Sequence, residues 1–392
     1  MNELSKPDTR PANPRFSSGP CAKRPGWSVT VLEDAFLGRS HRHKDGKARL
    51  MQVMDRTRSV LEIPDSHLVG IVPASDTGAM EMALWSLLGP RGVDLLNWEN
   101  FGATWANDVL NQLKLDDVRM LEAPYGELPD LSRVDPGHDV VFTWNGTTSG
   151  VRVPDGDWIA EDREGLTICD ATSAAFAMDL PWDKLDVTTW SWQKVMGGEG
   201  AHGMIVLGPR AVTRLESYTP PWPMPKLFRL VKNGKLDMAP FEAATINTPS
   251  MMAVEDAIDS LKWAEAEGGV KGLMARTNAN FKATSAWVES AYWVDFLALD
   301  PAFRSPTSVC LKVIDPWLQT RGEDFKDSVG KRIAALLEAE GAALDIASYV
   351  SAPAGLRIWN GATVETSDLQ ALFPWLDWAW ATIKAETDGG TS

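Results

Sequence analysis

The chain has 392 residues, 44% of them hydrophobic, which is enough for a large core and about two domains. Its 53 acidic against 38 basic residues give a formal net charge of −15. That charge excludes nucleic acid and anionic membranes as general partners, but it leaves room for a few local arginines around a small anionic substrate. Cys21, Cys169 and Cys310 stand in no metal-binding spacing, and their odd number argues against a disulfide framework. No secretory leader is read, and no apolar run reaches the ~20 residues of a membrane span. The expectation is a soluble cytoplasmic protein without a metal.

Residues 1–15 are polar and proline-rich and read as a flexible arm. Trp27 to Phe36 alternates weakly, as a short helix would. Ser40 to Lys47 (SHRHKDGK) is densely basic in an acidic protein. It reads as a solvated helix start or as a clamp for an anion, and the charge contrast favours the clamp. Residues 48–63 carry helical spacing. Leu68 to Val72 is a strand candidate that runs into Pro73-Ala74-Ser75-Asp76-Thr77-Gly78. Beyond it Met80, Ala83, Leu84, Leu87 and Leu88 share one helical face. Strand, small polar residues, then helix presents free N–H groups and a positive helix end to a phosphate. Simple capping by Ser75 or Asp76 gives the same pattern.

Val93 to Trp98 is the next strand, leading to Glu99-Asn100-Phe101-Gly102-Ala103-Thr104-Trp105. Val140 to Trp144 leads to Asn145-Gly146-Thr147, and Leu166 to Cys169 ends at Asp170. Val187 to Trp192 delivers Gln193 and Lys194 into a glycine-rich turn (Gly197, Gly198, Gly200, Gly203), and Met204 to Leu207 leaves it. Strand, polar loop, helix recurs, which predicts an α/β fold with a mostly parallel sheet. Ligands in such sheets sit at the carboxyl ends of the strands, where these polar residues fall. Tyr218 to Met238 reads as an irregular, basic excursion with Lys226 and Arg229. Thr245 to Pro249 (TINTP) precedes a helix over Ser250 to Glu267, and a second helix follows over Val270 to Ala291. The remainder reads as a smaller α+β domain. It has strands at Ser308 to Ile314 and Gly355 to Trp359, and helices at Phe325 to Gly341 and Ser367 to Lys384. The expected division is an arm over 1–15, a large domain over 16–275 and a small one over 276–392.

A lysine framed by strands and glycines suits condensation with an aldehyde, which needs a fixed, desolvated amine. Pyridoxal phosphate further needs a carboxylate at its ring nitrogen, a helix N-terminus for its phosphate and an aromatic against its ring. Lys194, Asp170, the Ser75 to Gly78 loop and Phe101 supply these in chain order. On FSSGP, SHRHKDG, WSWQKVMGGEGAHG, INTPS and GLRIWN the chain resembles the phosphoserine aminotransferases, class V enzymes of pyridoxal-phosphate fold type I. That resemblance implies a seven-stranded large domain, a small C-terminal domain and a homodimer with shared active sites. It implies that Lys194 carries the cofactor and moves the substrate proton, and that Asp170 pairs with the ring nitrogen. It implies that Phe101, with Trp105 as the near alternative, stacks on the ring, and that Thr147 bonds the ring's 3′-oxygen side. Asp76, Thr77 and Gln193 would hold the cofactor phosphate, joined by Asn247 and Thr248 from the neighbouring subunit. Arg357 would bind the substrate α-carboxylate. His41 and Arg42 would bind its phosphate side across the dimer, with His43, Lys44 or the Lys226/Arg229 segment as replacements for absent positive groups. Two family features are missing here. Thr77 stands where the phosphate loop usually has arginine, and Val350 and Ser351 stand near the place of a His-Arg pair. The implied reaction is amino transfer from glutamate to 3-phosphohydroxypyruvate in serine biosynthesis, with a related role in pyridoxine biosynthesis also open. The alternative is a class V aminotransferase for an unphosphorylated substrate, of the serine–glyoxylate type. A cysteine desulfurase is disfavoured because Cys310 sits in a strand-like run.

Overall fold

A computed structural model describes residues 5–389. Its centre is a seven-stranded sheet built from β1 (Leu68–Pro73), β2 (Val93–Asn97), β3 (Val118–Glu122), β4 (Asp139–Thr143), β5 (Thr167–Asp170), β6 (Val187–Ser191) and β7 (His202–Leu207). The spatial order is β1-β7-β6-β5-β4-β2-β3. Only β7 runs against its neighbours β1 and β6; the other pairings are parallel. Successive residues of a strand point to opposite faces. Ile71 and Phe142 accordingly enter one apolar cluster, and Val72 and Val141 the other. On the first face α1 (Lys44–Val60) and α5 (Met251–Ala266) pack through Leu50, Val53, Val254 and Leu261. On the second lies α2 (Ser75–Leu87), with Met80, Ala83, Leu84 and Leu87 buried as its spacing predicts.

α3 (Asn100–Asn107) follows β2, α4 (Pro209–Ser217) follows β7, and α6 (Gly269–Ser290) leads out of the large sheet. An antiparallel three-stranded sheet comes next, ordered β8 (Val294–Phe296), β9 (Ser308–Val313), β10 (Leu356–Trp359). α6, α7 (Glu323–Ala339) and α8 (Thr366–Gly389) cover it. Stacked pairs fill this smaller core: Trp287 on Phe373 at 5.0 Å and Trp293 on Trp380 at 5.5 Å. No helix among the described residues is long and apolar enough to cross a membrane, and no group of three or more His, Cys, Asp or Glu among them could hold a metal ion.

The chain departs from expectation in several places. Residues 1–4 of the expected arm lie outside the described residues. Residues 5–15 lie against the small sheet's helices rather than free. Asp368 accepts from Ala12 N at 2.7 Å, Trp375 Nε1 donates to Thr9 O at 2.7 Å, and Lys6 pairs with Glu340 at 2.6 Å. Polar composition alone does not reveal such partners, because they come from the far end of the chain. The expected boundary at 275/276 falls inside α6, which is one continuous helix. Trp27 to Phe36 contains only a single 3₁₀ turn, Val29–Leu32. The basic excursion includes a short hairpin, Val231–Lys232 against Lys235–Leu236. β3 is a strand that the sequence does not announce, because VRMLE is a short edge strand carrying two charges with only Leu121 buried.

Candidate active site

The parallel strands deliver their polar ends to one cavity of about 400 Å³, lined by residues from Gly19, the start of α2, the start of α3, the ends of β4 to β6, and Tyr349. β1 turns into α2 through Ala74 and Ser75, both in the left-handed region with φ of 66° and 54°. α2 has no side-chain cap; its N-cap residue is Ala74. Its first N–H groups therefore remain available at the cavity, beside Ser75, Asp76 and Thr77. Gly78 is required there, since a Cβ would stand 2.2 Å from Pro73 O. Asp76 is buried, and its carboxyl neighbours Asp170, Thr172 and Thr189. Burial, then the nearby Asp170 charge, pushes its pKa well above the usual carboxylate range. An ionised carboxylate would repel a phosphate at this helix end. Burial beside Asp170 favours the neutral form of Asp76, whose side chain neighbours Asp170 while the first N–H groups of α2 remain unbonded.

Asp170 ends β5. Its Oδ2 accepts from Trp105 Nε1 at 3.1 Å and its Oδ1 from Thr172 N at 2.9 Å. Both aromatic candidates line the cavity; the indole N–H of Trp105 is bonded to Asp170, and the Phe101 ring lies beside that of Tyr349, centroids 5.8 Å apart. Thr147 Oγ1 donates to Ser173 Oγ at 2.8 Å, and Asn145 Nδ2 donates to the same oxygen at 2.8 Å. Gln193 accepts from Ser191 Oγ and also lines the cavity.

Lys194 is 7% exposed, and its Nζ donates to Ser18 O. A Cβ at Gly19 would stand 2.5 Å from that nitrogen, so glycine is what admits the lysine. Burial lowers the Lys194 pKa most. Arg357 lowers it further, while Cys21, Asp170 and Glu99 oppose the shift. Arg357, in β10, is close enough for its charge to act on Lys194 and on the Cys21 thiol. Its Nε is buried without a partner, and its guanidinium forms no ion pair or side-chain hydrogen bond among the described residues. Its neighbour across the strand pair is Cys310. Burial pushes the Cys21 and Cys310 thiols up to about 12, so neither is a nucleophile.

The remaining expected residues do not line this cavity. His43 caps α1, with Nδ1 accepting from Asp45 N at 3.3 Å, and Arg42, His43 and Lys44 are exposed. His41 is buried, which lowers its pKa, as does Arg42. Asn247 and Thr248 are exposed in the loop before α5. Ser250 N, just after that loop, donates to His202 Nε2 at 3.1 Å. Burial pushes His202 down to about 4. Lys226 and Arg229 are also remote from the cavity, with Arg229 Nε bound to Met224 O at 3.0 Å.

Sequence reasoning missed Glu99, which is 3% exposed. Its Oε1 accepts from Phe101 N at 2.7 Å and Gly102 N at 3.0 Å; its Oε2 accepts from Thr148 Oγ1 at 2.7 Å and Thr148 N at 3.2 Å. One carboxylate thus joins the start of α3 to the turn holding Thr147. An acidic residue just before a helix was the available signal. It also missed Ser18 and Tyr349, which no local pattern marks.

No family model matches the chain. A phosphoserine aminotransferase from Methanosarcina barkeri is 59% identical over 379 residues, covering 97% of this chain and 100% of that relative. The chain belongs to the phosphoserine aminotransferase family. Among solved structures, the phosphoserine aminotransferase of Cytophaga hutchinsonii superposes with a TM-score of 0.79 at 18% identity, covering 93% of this chain and 99% of that one. The phosphoserine aminotransferase of Trichomonas vaginalis, described as PLP-bound, gives 0.72 at 17%, covering 93% and 99%. At those identities the likeness speaks for the fold, the α/β fold of this family.

Proposed function

We propose that the protein is a pyridoxal-phosphate-dependent phosphoserine aminotransferase, exchanging an amino group between glutamate and 3-phosphohydroxypyruvate. The observation that carries this reading is Lys194, a buried amine between Asp170 and an unpaired Arg357, at the strand ends of a chain in this family. The donor set fits the cofactor. An uncapped helix start suits its phosphate, a carboxylate its ring nitrogen, and a flat side chain its face. The cavity lies within the ~300–1,000 Å³ range of small-molecule sites. When bound, the cofactor supplies an electron sink and a carrier for the amino group.

The protein's own groups do the rest. Asp170, held in place by Trp105 and Thr172, would keep a proton at the ring nitrogen. Phe101 would stack on the ring and Thr147 would bond its oxygen side. The α2 start, with Thr77 and Gln193, would hold the phosphate. Lys194, whose burial favours the neutral amine, takes the substrate α-proton and returns it. Arg357 holds the α-carboxylate of both substrates as a fork, leaving the reacting carbon beside Lys194.

The site is read as shared within a homodimer. His41, Arg42, His43 and Lys44 would meet the substrate's phosphate side from the neighbouring subunit, and Asn247 and Thr248 the cofactor's. These residues stand away from their own cavity, and most are exposed. Activity regained on mixing Lys194→Ala subunits with Arg42→Ala subunits would support the shared site. Inert mixtures would remove it. Three free, buried cysteines suit a cytoplasmic setting. The deciding test is a half-reaction followed by absorbance, with O-phosphoserine beside L-serine and L-alanine. Fast conversion with O-phosphoserine alone is expected. Equal conversion with L-serine or L-alanine would discard the phosphorylated substrate and favour the serine–glyoxylate type.

A further inference from the structure

Arg357, read above as the carboxylate holder, is an arginine that nothing anionic restrains. The one group set against it is a ring: Arg357 Cζ lies 5.4 Å from the Tyr349 ring centroid. That same ring lies 5.8 Å from the Phe101 ring, inclined at 44°. Tyr349 therefore stands between the side chain assigned to the cofactor face and the one assigned to the substrate carboxylate.

The backbone explains how a loop residue is held there. Arg357 N donates to Ile346 O at 2.8 Å and Ser348 N to Gly355 O at 3.1 Å, so residues 346–357 form a hairpin with Tyr349 at the start of its tip. The tip is fastened to the start of α3, because Ser351 Oγ donates to Asn100 Oδ1 at 2.7 Å. Asn100 opens α3, the helix that carries Phe101. Arginine has many rotamers to lose on binding an anion, and a guanidinium set against a ring has already lost some of them. A ring over the cation thus preorganises the fork for a carboxylate.

We propose that Tyr349 is a positioning residue: the face of its ring, not its hydroxyl, sets Arg357 for the substrate carboxylate and ties that arginine to the Phe101 side of the site. The proposal rests on the reading of Arg357 given above. Donor and acceptor share the carboxylate, so the effect falls on both half-reactions alike.

The test uses holoenzyme with Tyr349→Leu and Tyr349→Phe, assayed with glutamate and with O-phosphoserine. It adds calorimetric titration with glutarate, an unreactive dicarboxylate. Tyr349→Leu should raise both KM values and weaken glutarate binding by roughly three- to tenfold, with kcat changed less than KM. Tyr349→Phe should stay within about twofold of the parent, because the ring face remains. Ser351→Ala, which loosens the tip without touching the ring, should move KM in the same direction by less. In an Arg357→Gln background, Tyr349→Leu should cost little more, since the cation facing the ring is gone. The proposal is overturned if Tyr349→Phe loses as much as Tyr349→Leu, if the loss is confined to O-phosphoserine, or if it persists undiminished beside Arg357→Gln. A wrong choice of reaction would look different. The parent enzyme would then fail on O-phosphoserine, while glutarate binding would still depend on the ring at 349.

Discussion

The two walls of the cavity are built to different tolerances. On the large-sheet side two carboxylates are each fixed by two or more bonds from rigid elements. Asp170 takes an indole and a backbone N–H, and Glu99 takes four donors from two segments. On the small-sheet side Arg357 has one ring beside it, and its hairpin tip is held to α3 by a single side-chain hydrogen bond. On the roles proposed above, the contrast follows a division of labour. Atoms that exchange a proton must be placed closely before the substrate arrives. A group that grips and releases substrate is better carried on an element that opens locally at low cost.

That comparison can be broken most directly at Lys194. Lys194→Ala should cut turnover by at least ~10³-fold while leaving cofactor binding through the phosphate, read by absorbance and retained phosphorus. Near-normal turnover would mean the rigid wall does not carry the chemistry. Arg357→Lys comes next, with kcat/KM for glutamate and O-phosphoserine falling together by roughly ten- to a hundredfold as the fork is lost. A fall in only one of them would split the wall into separate substrate sites. Glu99→Ala should destabilise by about 1–3 kcal/mol in denaturant titration, because it removes a helix cap and strands the Thr148 donors. No loss of stability would show that the large-sheet wall is less tightly tied than its bonds imply. The last effect concerns acid. His202 titrates at about 4 when folded against an ordinary 6.5. Between those values the unfolded chain binds more protons, so stability rises with pH across the window and is lost on acidification. Its contribution is at most about 1.4 kcal/mol per pH unit, and His202→Gln should flatten that slope in melts at pH 4 to 6.5.

The same two walls were unequally legible in the sequence. The strands ending at Asp170 and before Lys194 announce themselves, because a buried parallel strand is a run of apolar residues with its chemistry at the tip. Glycines at 197 and 203 framed the lysine. What stayed hidden depends on closeness created only by folding. Ser18 meets Lys194 across 176 positions, and Ser351 meets Asn100 across 251. Asp76 could be read as a phosphate neighbour, but its burial against Asp170, which raises its pKa, could not. Phe101 and Trp105 lie four residues apart on one helix, so spacing does not rank them, and the indole bond from Trp105 to Asp170 is visible only in the fold.

The packing of residues 5–18 against the small sheet bears on how the chain is made. Thr9 waits 366 positions for Trp375, Phe16 O is met by Trp359 N, and Ser18 O caps the amine of Lys194. During synthesis the large sheet can close on its own strands. The small one must keep its earliest segment unpaired until its last strand and helix have left the ribosome. Because that same segment runs on into the cavity, the lysine's surroundings are finished last. A nascent chain therefore carries an assembled sheet well before it carries a competent amine.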